Sequence, residues 1–373
     1  MLRAEERPES DVIARIRAAL LPWYRAHRRS LPWREASDPY AVWVSETMLQ
    51  QTQVRTVIPY FTRWMERFPT VTALAEAPLE EVLRYWAGLG YYARARHLHA
   101  AARDVVERYG GALPADLDAL LALPGIGRYT AGAILSIAFG VRAPILDGNA
   151  IRVFSRLFLV EGDPGSARVQ RRLWELAEAL VPEDAPGDFN QGVMELGATI
   201  CLPEEPRCDS CPLAGECAAL ATGRVAELPQ ARRRTQTVRE EHVCAVLREQ
   251  DRVLMVRRPP EKLWGGLWEL PRARRRSEES LAECAARAMR ETVALEVIPG
   301  APLAVTRHVV THHQITLHAV AVDAARGTPV ATGCDAWEWV PLAEAAEHRP
   351  VSAPQARILR ALTGGLAHPR EVN

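Results

Sequence analysis

The chain has 373 residues, 48% of them apolar, and its 46 basic side chains are balanced by 46 acidic ones. That length predicts two domains, and the balanced charge excludes a protein that grips nucleic acid by bulk charge alone. The amino-terminal MLRAEERPES is too charged for a signal peptide, and no later run is apolar enough to span a bilayer; a cytoplasmic, reducing setting without membrane contact is expected.

Up to about Leu220 the pattern is helical and punctuated by Pro and Gly, with 25 Arg against 28 Asp plus Glu in the first 224 residues. Any DNA-facing surface there has to come from local arrangement. Asp38-Pro39 reads as an N-cap and a first-turn proline opening one helix through YAVWVSETMLQQTQV. Glu46 lies inside it among Trp43, Val44, Met48 and Leu49. Helix glutamates are usually solvated, but burial among these groups would raise its pKa.

Apolar periodicity predicts further helices near Leu79 to Trp86, Ala93 to Tyr109, Leu117 to Leu123, Tyr129 to Phe139, Ile151 to Val160 and Val169 to Leu180. In LPGIGRYTAGAI, Gly125 and Gly127 form a tight turn between two of them. Such a turn either just joins two helices or also presents backbone N–H groups to a phosphate. In APILDGNAIRVFSRLF, Asp147 stands where an N-cap would stand, which fixes its carboxylate in one orientation.

CLPEEPRCDSCPLAGEC gathers four of the seven cysteines, Cys201, Cys208, Cys211 and Cys217, at spacings of six, two and five residues. In a reducing setting, thiols clustered this way hold a metal more readily than they form disulfides. The loop has little apolar content, so ligation would order it where packing could not. Spacing alone leaves zinc and an iron-sulfur cluster both open.

RVAELPQARRRTQTVRE then reads as a linker, taken as 225–240. After it HVCAVLR, RVLMVRR and QITLHAVAV are β-rich, and Glu278 to Val293 reads as one helix, predicting an α+β second domain over 241–373. Lys262 is the only lysine of the chain.

The cysteine pattern resembles the [4Fe-4S] loop of the endonuclease III and MutY group of DNA glycosylases, although Glu204 and Glu205 stand where that family tends to carry basic residues. LPWR, SETMLQQTQV, VIPYF, WAGLGYYARARHL, LPGIGRYTAGAI, ILDGN and FNQGVMELGA look like MutY segments in the expected order. The resemblance implies an all-α helix-hairpin-helix glycosylase domain over 1–224, with the [4Fe-4S] loop at 201–217. It also implies a monofunctional adenine DNA glycosylase acting as a monomer on double-stranded DNA, at adenine opposite 8-oxoguanine or guanine.

On that resemblance Glu46 is the acid that protonates the departing base and Asp147 the carboxylate that stabilises the sugar cation, assisted by Tyr129 and Asn149. Gln51 and Tyr91 would wedge into the duplex, and Leu31, Trp33, Arg34 and Gln191 would line the pocket of the extruded adenine; Tyr91 as a core residue is the plainer alternative. The hairpin glycines Gly125 and Gly127 would meet the DNA backbone. The second domain resembles the Nudix or MutT-like domain that reads 8-oxoguanine in MutY. Ala294 and Leu295 replace the Mg²⁺-holding glutamates of a hydrolytic Nudix box, and Val310, Thr311 and His312 stand where the family carries Phe-Ser-His. Thr311 and His312 keep the hydrogen-bonding groups that such reading needs. A bifunctional pyrimidine glycosylase/lyase of the endonuclease III type is the first rival and a non-catalytic lesion-binding protein the second. The former needs a lysine that this half of the chain lacks.

Overall fold

The computed structural model describes residues 8–35, 38–230, 237–262, 264–364 and 370–371. Contacts divide the chain into two compact units, Met1–Ala75 with Ala100–Arg234 and Glu76–His99 with Thr235–Asn373. Residues 231–236 of the expected linker lie outside the described residues.

The helices of the first half run α1 (Ser10–His27), α2 (Pro39–Leu49), α3 (Val54–Arg67), α4 (Val71–Glu76), α5 (Leu79–Trp86), α6 (Ala93–Tyr109), α7 (Leu117–Leu121), α8 (Arg128–Ala133), α9 (Gly148–Leu157), α10 (Ala167–Leu180), α11 (Pro186–Thr199) and α12 (Ala218–Ala221). Asp38 caps α2 by accepting from the backbone of Tyr40 and Ala41, as its sequence implies. The single helix expected through Val54 is broken, because α2 ends at Leu49 and Gln51 takes a left-handed φ of 56°. Wide-turn backbone over Ile134–Ala138 continues α8. One core joins α1, α9, α10 and α11 through Ile16, Leu20, Phe154, Leu173, Leu176, Phe189 and Leu196, with Cys201, Cys211 and Cys217 packed on its edge.

The sequence assigns 76–99 to the first domain, whereas its contacts lie in the second unit. Glu80 there accepts from Trp268 Nε1 at 2.9 Å, Arg96 donates to the Gly265 carbonyl at 2.9 Å, and the Tyr92 hydroxyl donates to the Val351 carbonyl at 3.2 Å. Periodicity reports that a helix has an apolar face, not which partner covers it.

The second unit is built on β1 (Val238–Glu249), β2 (Arg252–Arg257), β3 (Trp268–Glu269), β4 (Arg272–Arg274), β5 (Glu296–Val310), β6 (His313–Arg326), β7 (Ala336–Pro341) and β8 (Arg370–Glu371), with α13 (Leu281–Val293), α14 (Leu342–Ala345) and α15 (Ala353–Thr363). The order β3-β2-β1-β6-β5-β8 places β6 parallel to β1 and antiparallel to β5. Apolar clusters form on two sides of the sheet, one with Cys284, Ala288 and Met289 of α13, the other with Ile358 and Leu359 of α15. β5 was not legible because Pro299, Pro302 and Gly300 interrupt it, and the β5–β6 register shifts at those points. No helix among the described residues is long and apolar enough to cross a membrane.

Candidate active site

Three segments of the first unit converge on one buried carboxyl. Glu46, on α2, which is buried all round from Tyr40 to Met48, is 5% exposed, and the Tyr129 hydroxyl at the start of α8 donates a short hydrogen bond to its Oε2. Burial above all, and then the nearby negative charge of Asp147, push the Glu46 pKa up to about 7; the Tyr129 hydrogen bond and the Arg34 charge oppose this. Burial and the same two carboxylates push the Tyr129 phenol well above its usual range, so it remains a donor. With Oε2 taken by the phenol, the proton of the acid form belongs on Oε1.

Asp147 is held in the opposite manner. It caps α9, with Oδ1 accepting from Ala150 N at 2.7 Å and Oδ2 from Asn149 Nδ2 at 2.9 Å. Two N–H donors at the start of a ten-residue helix fix both of its oxygens in place. The backbone before it is pressed against α8. A Cβ on Gly132 would meet the Pro144 carbonyl oxygen at 2.2 Å, so only glycine lets this loop approach the hairpin helix that carries Tyr129.

Behind Asp147 runs a chain of contacts that no sequence pattern marked. Arg152 Nη2 donates to Asn149 Oδ1 at 2.9 Å and to the Gly197 carbonyl at 2.6 Å, and its Nε donates to the Cys201 carbonyl at 2.7 Å. One turn on, Arg156 donates to Cys201 Sγ at 3.3 Å, to the Leu202 and Pro203 carbonyls, and to that of Leu228. Helix α9 thereby ties Asp147 and Asn149 to the cysteine loop. A Cβ on Gly197 would lie 2.5 Å from the Asn149 Cβ. Gly197→Ala is therefore expected to push α9 off α11 and cost about 1–3 kcal/mol, read as a lower midpoint of thermal unfolding.

Arg34 donates to Glu195 Oε2 at 2.9 Å, and Arg29 to Glu195 Oε1 at 2.6 Å. Burial alone would raise the Glu195 pKa, but these two arginines outweigh it and hold the carboxyl below its usual value. Glu195 in turn draws off positive charge that would otherwise favour ionised Glu46. Leu31 and Trp33 are buried, with Trp33 set edge-on to Phe61 at 5.4 Å; Gln191 lies one turn before Glu195 on α11 and is half-buried. Gln51 is exposed in its left-handed conformation. Tyr91, in the second unit, also has positive φ and is 41% exposed, which rules out the core alternative; Tyr92 is the buried member of the doublet.

Gly125 has a φ of 76° and Gly127 precedes the first residue of α8, so both occupy the turn read from LPGIGRYTAGAI. The four cysteines line one cavity together with Arg156, Ile200 and Pro206. Burial pushes the thiols of Cys208 and Cys217 up and that of Cys211 to about 11, so without a ligand they keep their protons. Among the described residues, no three His, Cys, Asp or Glu side chains are grouped closely enough to hold a single metal ion. In the second unit Thr311 and His312 form the β5–β6 turn, with Thr311 at a φ of 54°, while Leu295 is buried in the α13 core and Ala294 ends that helix.

A helical unit with a helix-hairpin-helix turn beside two unlike carboxyls, joined to a Nudix-like sheet, defines a class of base-excision repair proteins. Residues 44–179 match the family model described as HhH-GPD superfamily base excision DNA repair protein, and 242–361 match that of the NUDIX domain. An adenine DNA glycosylase of Buchnera aphidicola is 36% identical over 250 residues, which cover 67% of this chain and 72% of that protein. The chain belongs to the adenine DNA glycosylase family. The human adenine DNA glycosylase is 42% identical over 323 residues, covering 72% of this chain and 59% of the human one; the chain thus spans less than two thirds of that relative. Among solved structures, a thermostable thymine-DNA glycosylase matches 57% of this chain and 98% of its own, with a TM-score of 0.52 and 32% identity.

Proposed function

We propose that the chain is a monofunctional DNA glycosylase that removes adenine mispaired with 8-oxoguanine or guanine in double-stranded DNA, acting as a monomer. The observation that carries this reading is the buried Glu46 carboxyl, held by the Tyr129 hydroxyl on one oxygen, in a site whose other carboxylate is Asp147 at the start of α9. Breaking an N-glycosidic bond leaves negative charge on the base and positive charge on the sugar. A neutral acid and an anion in one site answer both needs. Glu46 delivers its Oε1 proton to the adenine, Tyr129 fixes the rotamer of that acid, Asp147 stabilises the sugar cation, and Asn149 holds Asp147. Leu31, Trp33, Arg34 and Gln191 enclose the extruded base; Gln51 and Tyr91 each wedge into the duplex. Gly125 and Gly127 approach the phosphate backbone with their N–H groups.

Lyase chemistry requires an amine nucleophile. Tyr129 occupies the place of the lysine of endonuclease III-type relatives, and the chain's sole lysine is Lys262 in the second domain. Water therefore attacks the sugar, and borohydride is expected to trap no side-chain adduct.

The domain limits we adopt are 1–224 for the glycosylase domain, 225–240 for the linker and 241–373 for the lesion-reading domain. In the latter, the Thr311 hydroxyl donates to the Val310 carbonyl at 2.7 Å, which leaves its oxygen to accept. 8-Oxoguanine carries an N–H at position 7 where guanine has a lone pair, so an outward acceptor favours the oxidised base.

Four thiols lining one cavity, at the spacing described, fit a [4Fe-4S] cluster held by Cys201, Cys208, Cys211 and Cys217. Bound there, a cluster would replace four protons and order a loop with little apolar packing of its own. Anaerobically purified protein is expected to contain about four iron atoms per chain, and Cys211→Ser to lower both iron content and thermal stability.

The decisive assay follows adenine release from duplexes carrying 8-oxoguanine, guanine or cytosine opposite adenine under single-turnover conditions. Release opposite the first two and none opposite cytosine is the expected pattern. Intact adenine in all three would leave a binding protein.

A further inference from the structure

The turn that carries Thr311 and His312 joins β5 to β6. A cavity of about 550 Å³ opens among β1, β5 and β6, lined by Arg239, Glu240, Arg307 and Gln314. Val309 beside the turn is 65% exposed, so apolar packing does little to fix it. Polar contacts fix it instead. The His312 carbonyl accepts from Val238 N at 2.9 Å, which pins its backbone to the start of β1. Its ring lies against that of His313, with centroids 4.2 Å apart and planes tilted by 47°.

His313 is itself tethered. Its Nδ1 donates to Glu240 Oε1 at 3.0 Å, while the other carboxylate oxygen accepts from His242 Nε2 at 3.0 Å and Arg274 approaches Oε1 at 3.3 Å. His242 foremost, then His313 and Arg274, hold the Glu240 carboxyl below the usual range despite its burial, so it is a full acceptor at both oxygens. That fixes the tautomer of His313 with its proton on Nδ1 and restricts rotation of the ring. His312, with its Nδ1 3.3 Å from Thr311 Oγ1, thus touches both the tethered His313 ring and the Thr311 hydroxyl.

We propose that His313, tethered by Glu240 and in ring contact with His312, is a positioning residue for reading the base opposite adenine. The inference rests on the reading that Thr311 and His312 contact that base. Glu240 and His313 do not touch it; they lower the number of orientations that His312 can take before binding.

The test measures single-turnover adenine release and equilibrium binding on 8-oxoguanine and guanine duplexes with the full chain, together with thermal unfolding. His313→Ala and the milder Glu240→Gln are each expected to lower the preference for 8-oxoguanine over guanine by about 3- to 10-fold, with release opposite guanine and the unfolding midpoint close to wild type. The double variant should lose no more than the worse single one, because both cut the same tether. An unchanged preference in both singles while His312→Ala lowers it would overturn the positioning role. An unchanged preference in His312→Ala would instead remove the reading of the turn, and the proposal with it.

Discussion

Glu46→Gln is expected to slow adenine release by about 10²- to 10⁴-fold while duplex affinity stays within a few-fold of wild type. The amide matches the carboxyl in shape and still accepts from the Tyr129 phenol, so the pocket keeps its form and loses only a transferable proton. Wild-type release should depend on the acid form. The rate is therefore expected to be flat well below pH 7 and to fall as pH rises through about 7, the value to which burial and Asp147 push this carboxyl.

The same residue ties stability to pH. In the folded chain Glu46 holds its proton more tightly than in the unfolded one, where it has the ordinary value of 4.5. Its favourable contribution is thus complete below about 4.5 and is lost as pH rises through about 7. Glu46→Gln removes this loss. The variant is expected to gain up to about 3 kcal/mol over wild type in mildly alkaline buffer and little in acid, seen as unfolding midpoints that diverge with pH. An inactive variant whose stability shows no such divergence would mean that Glu46 is not a buried, protonated acid.

What the sequence could and could not convey follows from where each contact comes from. Asp38 and Asp147 were legible as caps because a cap bonds to the backbone two or three residues ahead. The surroundings of Glu46 hinted at burial, because its apolar neighbours sit on the same short helix. Gly132, Gly187 and Gly197 carried no such signal. Each is glycine because a distant segment presses on it: Pro144 on the first, Ser136 and Ile137 on the second, Asn149 on the third. Arg152 and Arg156 read as the polar face of a helix, yet their guanidinium groups bind carbonyls some 45 to 72 residues onward. The break after α2 was missed because Gln50 to Gln53 is polar and lacks Gly or Pro, so only the left-handed Gln51 marks it. A residue in that conformation away from glycine is strained, which suits a side chain held out toward a partner.

Asp147→Asn is expected to cost on the order of 10²- to 10³-fold in adenine release with little change in the folded structure. Asparagine caps helices about as well as aspartate, so the bond from Ala150 N survives and α9 keeps its start. What disappears, on the proposed reading, is the negative charge that stabilises the sugar cation. A second consequence separates this role from plain scaffolding. Asp147 is one of the charges that raise the Glu46 pKa, so neutralising it lets that carboxyl fall back toward its ordinary value. The remaining activity of Asp147→Asn should therefore decline at a lower pH than that of wild type. A lower rate with an unshifted pH profile would mean that the two carboxyls do not share one site, and the division of labour between acid and anion would have to be abandoned.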